Sequence, residues 1–142
     1  MRSIKYIIIH CSDSYDNDNS IDVDTIRNWH KQRGFNDVGY HYIIKRCGTV
    51  QIGRTEDIVG AHCEGYNSNS IGICLVGGRY NNIKNNTDDI MHFTPEQIIS
   101  LKQLCYKLKL KYKEAKVYGH RDFNKQKTCP NFDISMLKLN NE

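Results

Sequence analysis

Residues 39–53 read GYHYIIKRCGTVQIG. Gly39–Arg46 and Thr49–Gly53 are short runs rich in β-branched and aromatic residues, and they flank Cys47-Gly48. That pattern predicts two strands joined by a tight turn. A hairpin pairs its strands antiparallel, so a sheet containing it is not purely parallel. On the N-terminal side, Val23, Ile26 and Trp29 recur at helical spacing from about Asp22 to Arg33, with acidic residues in the first turn, Lys31 and Arg33 in the last, and Gly34 as the stop. Before that helix, Ile4–His10 (IKYIIIH) reads as a buried strand ending at polar Cys11-Ser12-Asp13, and residues 13–20 read as a polar loop. On the C-terminal side, Ser70–Val76 (SIGICLV) is a buried strand closed by Gly77-Gly78, and the Asn/Asp-rich residues 79–92 read as an exposed loop.

Thr94-Pro95-Glu96-Gln97 supplies an N-cap, a proline at the first helical position and a capping-box glutamine. Ile98, Leu101, Leu104, Cys105, Leu108 and Tyr112 then form one apolar stripe, which reads as core rather than as a cofactor face. Lys116–Gly119 is a last strand, ending at His120. Strands interleaved with helices, one hairpin among them, predict an α/β fold: a single domain with a mixed central β-sheet flanked by helices. With 142 residues and no internal repeat or linker, that domain is expected to span 1–142.

Composition narrows the function classes. A chain 39% hydrophobic and 25% charged, with two prolines, is neither collagen-like nor disordered. No apolar run exceeds the four residues of Tyr6–Ile9, far short of the ~18 residues of a membrane helix, so no membrane partner is expected. Residues 1–5 lead straight into that run with no small-residue cleavage site, so no signal peptide is expected and the chain is expected to be cytoplasmic as synthesised. The net charge of +4 is uneven: residues 1–93 hold ten Lys/Arg and eleven Asp/Glu, residues 94–142 ten and five. A solvated lysine-rich helix face and an anionic polymer partner both account for that surplus. The aromatics are scattered through core-like positions rather than interleaved with a basic stripe, so no nucleic acid partner is expected. Six cysteines (11, 47, 63, 74, 105 and 129) without a C-x-x-C pair read mostly as reduced thiols.

Two histidines immediately follow predicted strands, His10 and His120, and Cys129 lies nine residues beyond the second. Strand ends are where α/β sheets build sites, because the sheet fixes geometry while the loops vary. Two imidazoles and a thiolate would form a catalytic zinc set with a fourth position left for water. From spacing alone the signal is weak, and two hydrogen-bonded strand-end histidines with a buried thiol account for it better, since no compact zinc signature is present. His30 reads as a packing or capping residue, and His41 faces away from Tyr40 and Tyr42 by strand alternation. His62, in Gly60-Ala61-His62-Cys63, is open between a substrate contact and a solvent-facing loop residue. P-loop, Rossmann and Gly-x-Ser-x-Gly patterns do not occur.

The blocks IIIHCSDS (7–14), IRNWHKQRGFNDVGYHYIIKRCGTVQIGR (26–54), GAHCEGYNSNSIGICLVGG (60–78), FTPEQIISLKQL (93–104), YGHRD (118–122) and KTCPNFD (127–133) together resemble the type 2 N-acetylmuramoyl-L-alanine amidase family, whose fold animal peptidoglycan recognition proteins share. The resemblance implies an endolysin-like enzyme that binds peptidoglycan and hydrolyses the amide between N-acetylmuramic acid and L-alanine of the stem peptide, using one Zn2+ per chain. Position by position, it makes His10, His120 and Cys129 the zinc ligands, Tyr40 and Lys127 the catalytic pair, and His62 a residue lining the stem-peptide groove. Gly34-Phe35 stands where the family carries a Gly-Trp pair associated with diaminopimelate-type peptides, which makes both residues substrate contacts. One phage member of the family carries an N-terminal extension that helps it bind RNA polymerase; this chain starts almost at its first strand, so polymerase binding is not expected. A monomer that reaches the wall after release or specialised export is the remaining expectation. The alternative is a non-catalytic peptidoglycan-binding protein of the same fold; such relatives lack the zinc cysteine, which here is Cys129.

Overall fold

A computed structural model of the chain describes residues 2–79 and 89–140. The elements run β1 (Tyr6–Cys11), β2 (Ser14–Tyr15), α1 (Val23–Gln32), β3 (Tyr42–Ile44), β4 (Val50–Ile52), β5 (Ser70–Leu75), β6 (Gly78–Arg79), α2 (Pro95–Lys111) and β7 (Lys116–Gly119). Five of the strands form one sheet in the order β4-β3-β5-β1-β7. β3, β5, β1 and β7 are mutually parallel, and β4 closes the edge antiparallel to β3 with Tyr42 opposite Ile52. The sheet is therefore mixed, as the hairpin required.

β1 lies between two parallel neighbours and is covered on both faces, which is why Ile7–Cys11 are all buried and its sequence does not alternate. Ile7, Ile9, Ile71, Ile73 and Leu75 pack with Leu101, Cys105, Leu108 and Phe132 on the α2 side. Ile43, Cys74 and Val76 pack with Ile21, Val23, Ile26 and Val38 on the α1 side. Both helices start as their sequences dictate. The Asp22 side chain accepts from Thr25 N–H, and Thr94 and Gln97 close a reciprocal capping box. Gly34 follows α1 at φ +96°, a left-handed stop.

Three details differ from the sequence reading. The polar segment 13–20 contains β2, which pairs parallel with β6 in a separate two-stranded ribbon. The first arm of the hairpin is only Tyr42–Ile44; ahead of it Gly39 N–H donates to His30 Nδ1, while Tyr40 O still accepts Arg54 N–H across the pair at 3.0 Å. Residues 80–88 of the loop read as exposed lie outside the described residues. Its end, Ile90–His92, is a 3-10 turn with His92 fully buried, because the following Phe93 is drawn into the core 5.6 Å from Phe132. Among the described residues, no helix is long and apolar enough to cross a membrane.

Candidate functional site

Because β1 and β7 are adjacent and parallel, their C-terminal ends share one edge of the sheet. His10 is the penultimate residue of β1 and His120 follows β7 directly, so their rings meet with centroids 4.6 Å apart. The third donor arrives from the loop after β7. Arg121 N–H bonds Cys129 O at 3.0 Å, and Cys11 N–H points at Cys129 Sγ at 3.0 Å. Asn131 holds the next turn, donating from Nδ2 to Gly78 O at 2.8 Å. Gly119 is needed here because a Cβ at that position would stand 2.8 Å from Pro130 Cδ. One donor atom each from His10, His120 and Cys129 falls within 4.8 Å of the others, and among the described residues no second group of this kind occurs.

The donors suit a metal. Burial, and then the neighbouring His62 and His120 rings, push the His10 pKa well below the usual imidazole range. Burial, and then the Lys127 charge, lower that of His120. Both rings are thus neutral at pH 7, with a lone pair to offer. A hydrogen bond to Cys129 and burial raise the Cys11 thiol well above its ordinary value, so Cys11 remains a protonated neighbour. Two neutral imidazoles and a thiol within this spread match the donor types and number of a three-ligand catalytic zinc site.

The donors sit in the wall of a groove of about 790 Å3, the size range of small-ligand sites. Tyr40 stands beside them, its ring centroid 4.9 Å from that of His10, and also lines the groove. Burial, followed by the neighbouring thiols Cys74, Cys129 and Cys11, pushes its phenol well above the ordinary value, so the hydroxyl keeps its proton. Lys127 is exposed on the groove wall two residues before Cys129. Phe35 lines the groove as well, with its ring against His30 at 5.1 Å. Gly34 is not among the lining residues; it occupies the α1 stop.

His62 also borders the groove, but its ring is buried and both nitrogens are engaged inside the protein. Nδ1 is 2.8 Å from His10 Nε2, and Nε2 is 3.1 Å from Ser70 Oγ. His30 packs at the end of α1 and accepts Gly39 N–H, yet it too faces the groove. His41 is fully buried and does not border it. Sequence reasoning missed Asn67, whose Oδ1 accepts from His62 N–H and Cys63 N–H at 2.9 and 2.8 Å and which lines the groove beside Arg33 and Glu64. The signal for it was an Asn in a Gly- and Ser-rich loop, the residue type that holds such turns.

A family model described as N-acetylmuramoyl-L-alanine amidase matches residues 1–132. The endolysin of Escherichia phage T7 is 46% identical over 136 residues, covering 96% of this chain and 86% of its own length. The endolysin of Klebsiella phage KP32 is 44% identical with the same coverage. Among solved structures, the endolysin N-acetylmuramoyl-L-alanine amidase LysCS of Clostridium intestinale has a TM-score of 0.78 at 32% identity, over 96% of this chain and 82% of its own. Drosophila PGRP-LB has a TM-score of 0.73 at 25% identity, over 92% and 76%. The sheet order, the groove and the sequence match over nearly the whole length converge, and the chain belongs to the N-acetylmuramoyl-L-alanine amidase family.

Proposed function

We propose that residues 1–142 act as one zinc-dependent amidase domain, which hydrolyses peptidoglycan at the amide between N-acetylmuramic acid and L-alanine of the stem peptide. The observation that carries this reading is the convergence of His10, His120 and Cys129 donor atoms within 4.8 Å, beside Tyr40 in a groove. His10, His120 and Cys129 would hold the ion. When bound, zinc supplies Lewis acidity and lowers the pKa of water to ~7.

The chain's own residues do the rest. The groove holds the stem peptide so that the scissile amide lies at the sheet edge. The Lys127 ammonium, exposed on the groove wall two residues before Cys129, would stabilise the negative charge that develops on the amide oxygen in the transition state. The Tyr40 hydroxyl, kept protonated by burial, donates a hydrogen bond to the reacting centre. Phe35 offers an apolar wall to the stem peptide.

Zinc content, together with mass spectrometry of digested peptidoglycan, tests the reading. Cys129→Ser and His120→Ala are expected to lose zinc and activity together. Lys127→Ala and Tyr40→Phe are expected to keep zinc and lose about 10²-fold or more in turnover, the size of losing one transition-state donor. Full zinc and activity in Cys129→Ser would overturn the ligand set. Zinc retention with no release of L-alanine-bearing peptides would make the chain a binding protein instead.

A further inference from the structure

His62 is the residue whose position the groove least explains. A hydrogen bond from its ring to the stem peptide would need a nitrogen facing the groove, and His62 has none to spare. One nitrogen meets His10 Nε2 at 2.8 Å and the other meets Ser70 Oγ at 3.1 Å. The ring is also clamped. A Cβ added at either Gly60 or Gly72 would stand 2.7 Å from it, so two glycines on different segments make its space. Asn67 Oδ1 fixes its backbone N–H at 2.9 Å. This much restraint around one imidazole points to a task that depends on orientation.

The task follows from counting protons. A neutral imidazole carries one N–H and one lone pair, and the partner of one nitrogen decides the state of the other. The His10–His62 hydrogen bond can run in either direction. If His62 Nδ1–H donated to His10 Nε2, the single proton of His10 would sit on Nδ1, and no lone pair would remain for a metal. If His10 Nε2–H donates to His62 Nδ1, then His10 Nδ1 is free to ligate. His62 then carries its proton on Nε2 and donates it to Ser70 Oγ, which can accept. The second direction alone is compatible with His10 as a ligand.

We propose that His62 is the positioning residue of the metal site, its Nδ1 accepting the His10 Nε2–H so that His10 Nδ1 is presented to the ion, with Ser70 Oγ anchoring the far side of the ring. The inference rests on the zinc reading above. It gives His62 a role through His10 rather than toward the stem peptide. Hydrogen-bond partners behind metal ligands commonly govern affinity to the extent of about 10–100-fold.

Zinc affinity of the full chain, measured by competition with a chromogenic chelator, tests it without reference to activity. His62→Ala is expected to weaken zinc binding about 10–100-fold. His62→Asn, which sets an amide oxygen near the place of Nδ1, is expected to recover most of the loss. His62→Gln, whose amide lies further out toward the place of Nε2, is not. A packing role would not separate Asn from Gln in this way. In the zinc-loaded wild type, ¹⁵N NMR is expected to show His62 protonated on Nε2 and His10 on Nε2, a readout that stands even if His62→Ala fails to fold. A His62 Nδ1–H tautomer in the loaded protein would overturn the proposal. So would His62→Ala binding zinc as tightly as wild type, or Asn and Gln behaving alike. If the wild type takes up no zinc at all, the zinc reading itself fails, and this inference falls with it for that separate reason.

Discussion

A Cβ built on Gly72 would stand 2.7 Å from the His62 ring, whereas one built on Gly34 would meet nothing within 4 Å. The two glycines are therefore needed for different reasons, and substitution separates them. Gly72→Ala is expected to cost about 1–3 kcal/mol through overpacking and to weaken zinc binding as the ring is displaced. Gly34→Ala, at φ +96°, is expected to cost about 1–2 kcal/mol through its left-handed backbone and to leave zinc affinity unchanged. Urea unfolding and chelator competition on both variants check the pair. At this scale the sequence carried the candidate donors only through the family resemblance of its blocks, since strand-end position and spacing alone left His10, His120 and Cys129 open. It did not carry the His10–His62 bond. That contact spans 52 residues, and nothing in Gly60-Ala61-His62-Cys63 sets its ring apart from a solvent-facing one.

α2 shows how far local rules reach. Its capping box was readable because Thr94 and Gln97 are three residues apart, and both of its bonds form as that spacing requires. Gln97 does more than cap. It is fully buried, and its Nε2 donates to Ile44 O at 3.1 Å and Val76 O at 2.8 Å, tying the helix start to β3 and to the segment after β5. Thr94→Ala is thus expected to cost about 1 kcal/mol, the usual loss of an N-cap. Gln97→Ala is expected to cost more, about 1–3 kcal/mol for each buried partner left without a bond. Denaturant midpoints, with an unchanged slope, measure both; equal losses would show that Gln97 acts as a cap only. The sheet contacts of Gln97 were not legible, since they depend on which strands lie under the helix.

For the whole molecule, acid is the informative stress. His41 is fully buried between Gly72 N–H and Ile58 O, and burial lowers its pKa to about 4. A histidine depressed below its unfolded value of ~6.5 contributes stability that is complete above that pH and is lost as pH falls through the folded value. The metal-free chain is therefore expected to lose stability progressively from about pH 6.5 to 4, on the order of 3 kcal/mol from His41 alone. Carboxylates held low, such as Asp37 beside Arg27, add their loss mainly below that window. Urea unfolding between pH 7.5 and 4.5 with a chelator present tests this, and a flat profile would refute the neutral-histidine reading. Strand runs, helix caps and the hairpin were determined by the sequence itself, because each is written in periodicity or in bonds between residues close in the chain. Only the tertiary structure decided that three donors separated by up to 119 positions share one sheet edge, that Cys11 N–H meets Cys129 Sγ, and that His62 stands behind His10. Those depend on the strand order β5-β1-β7 and its parallel register, which arise from pairing between distant segments and leave no local pattern to read.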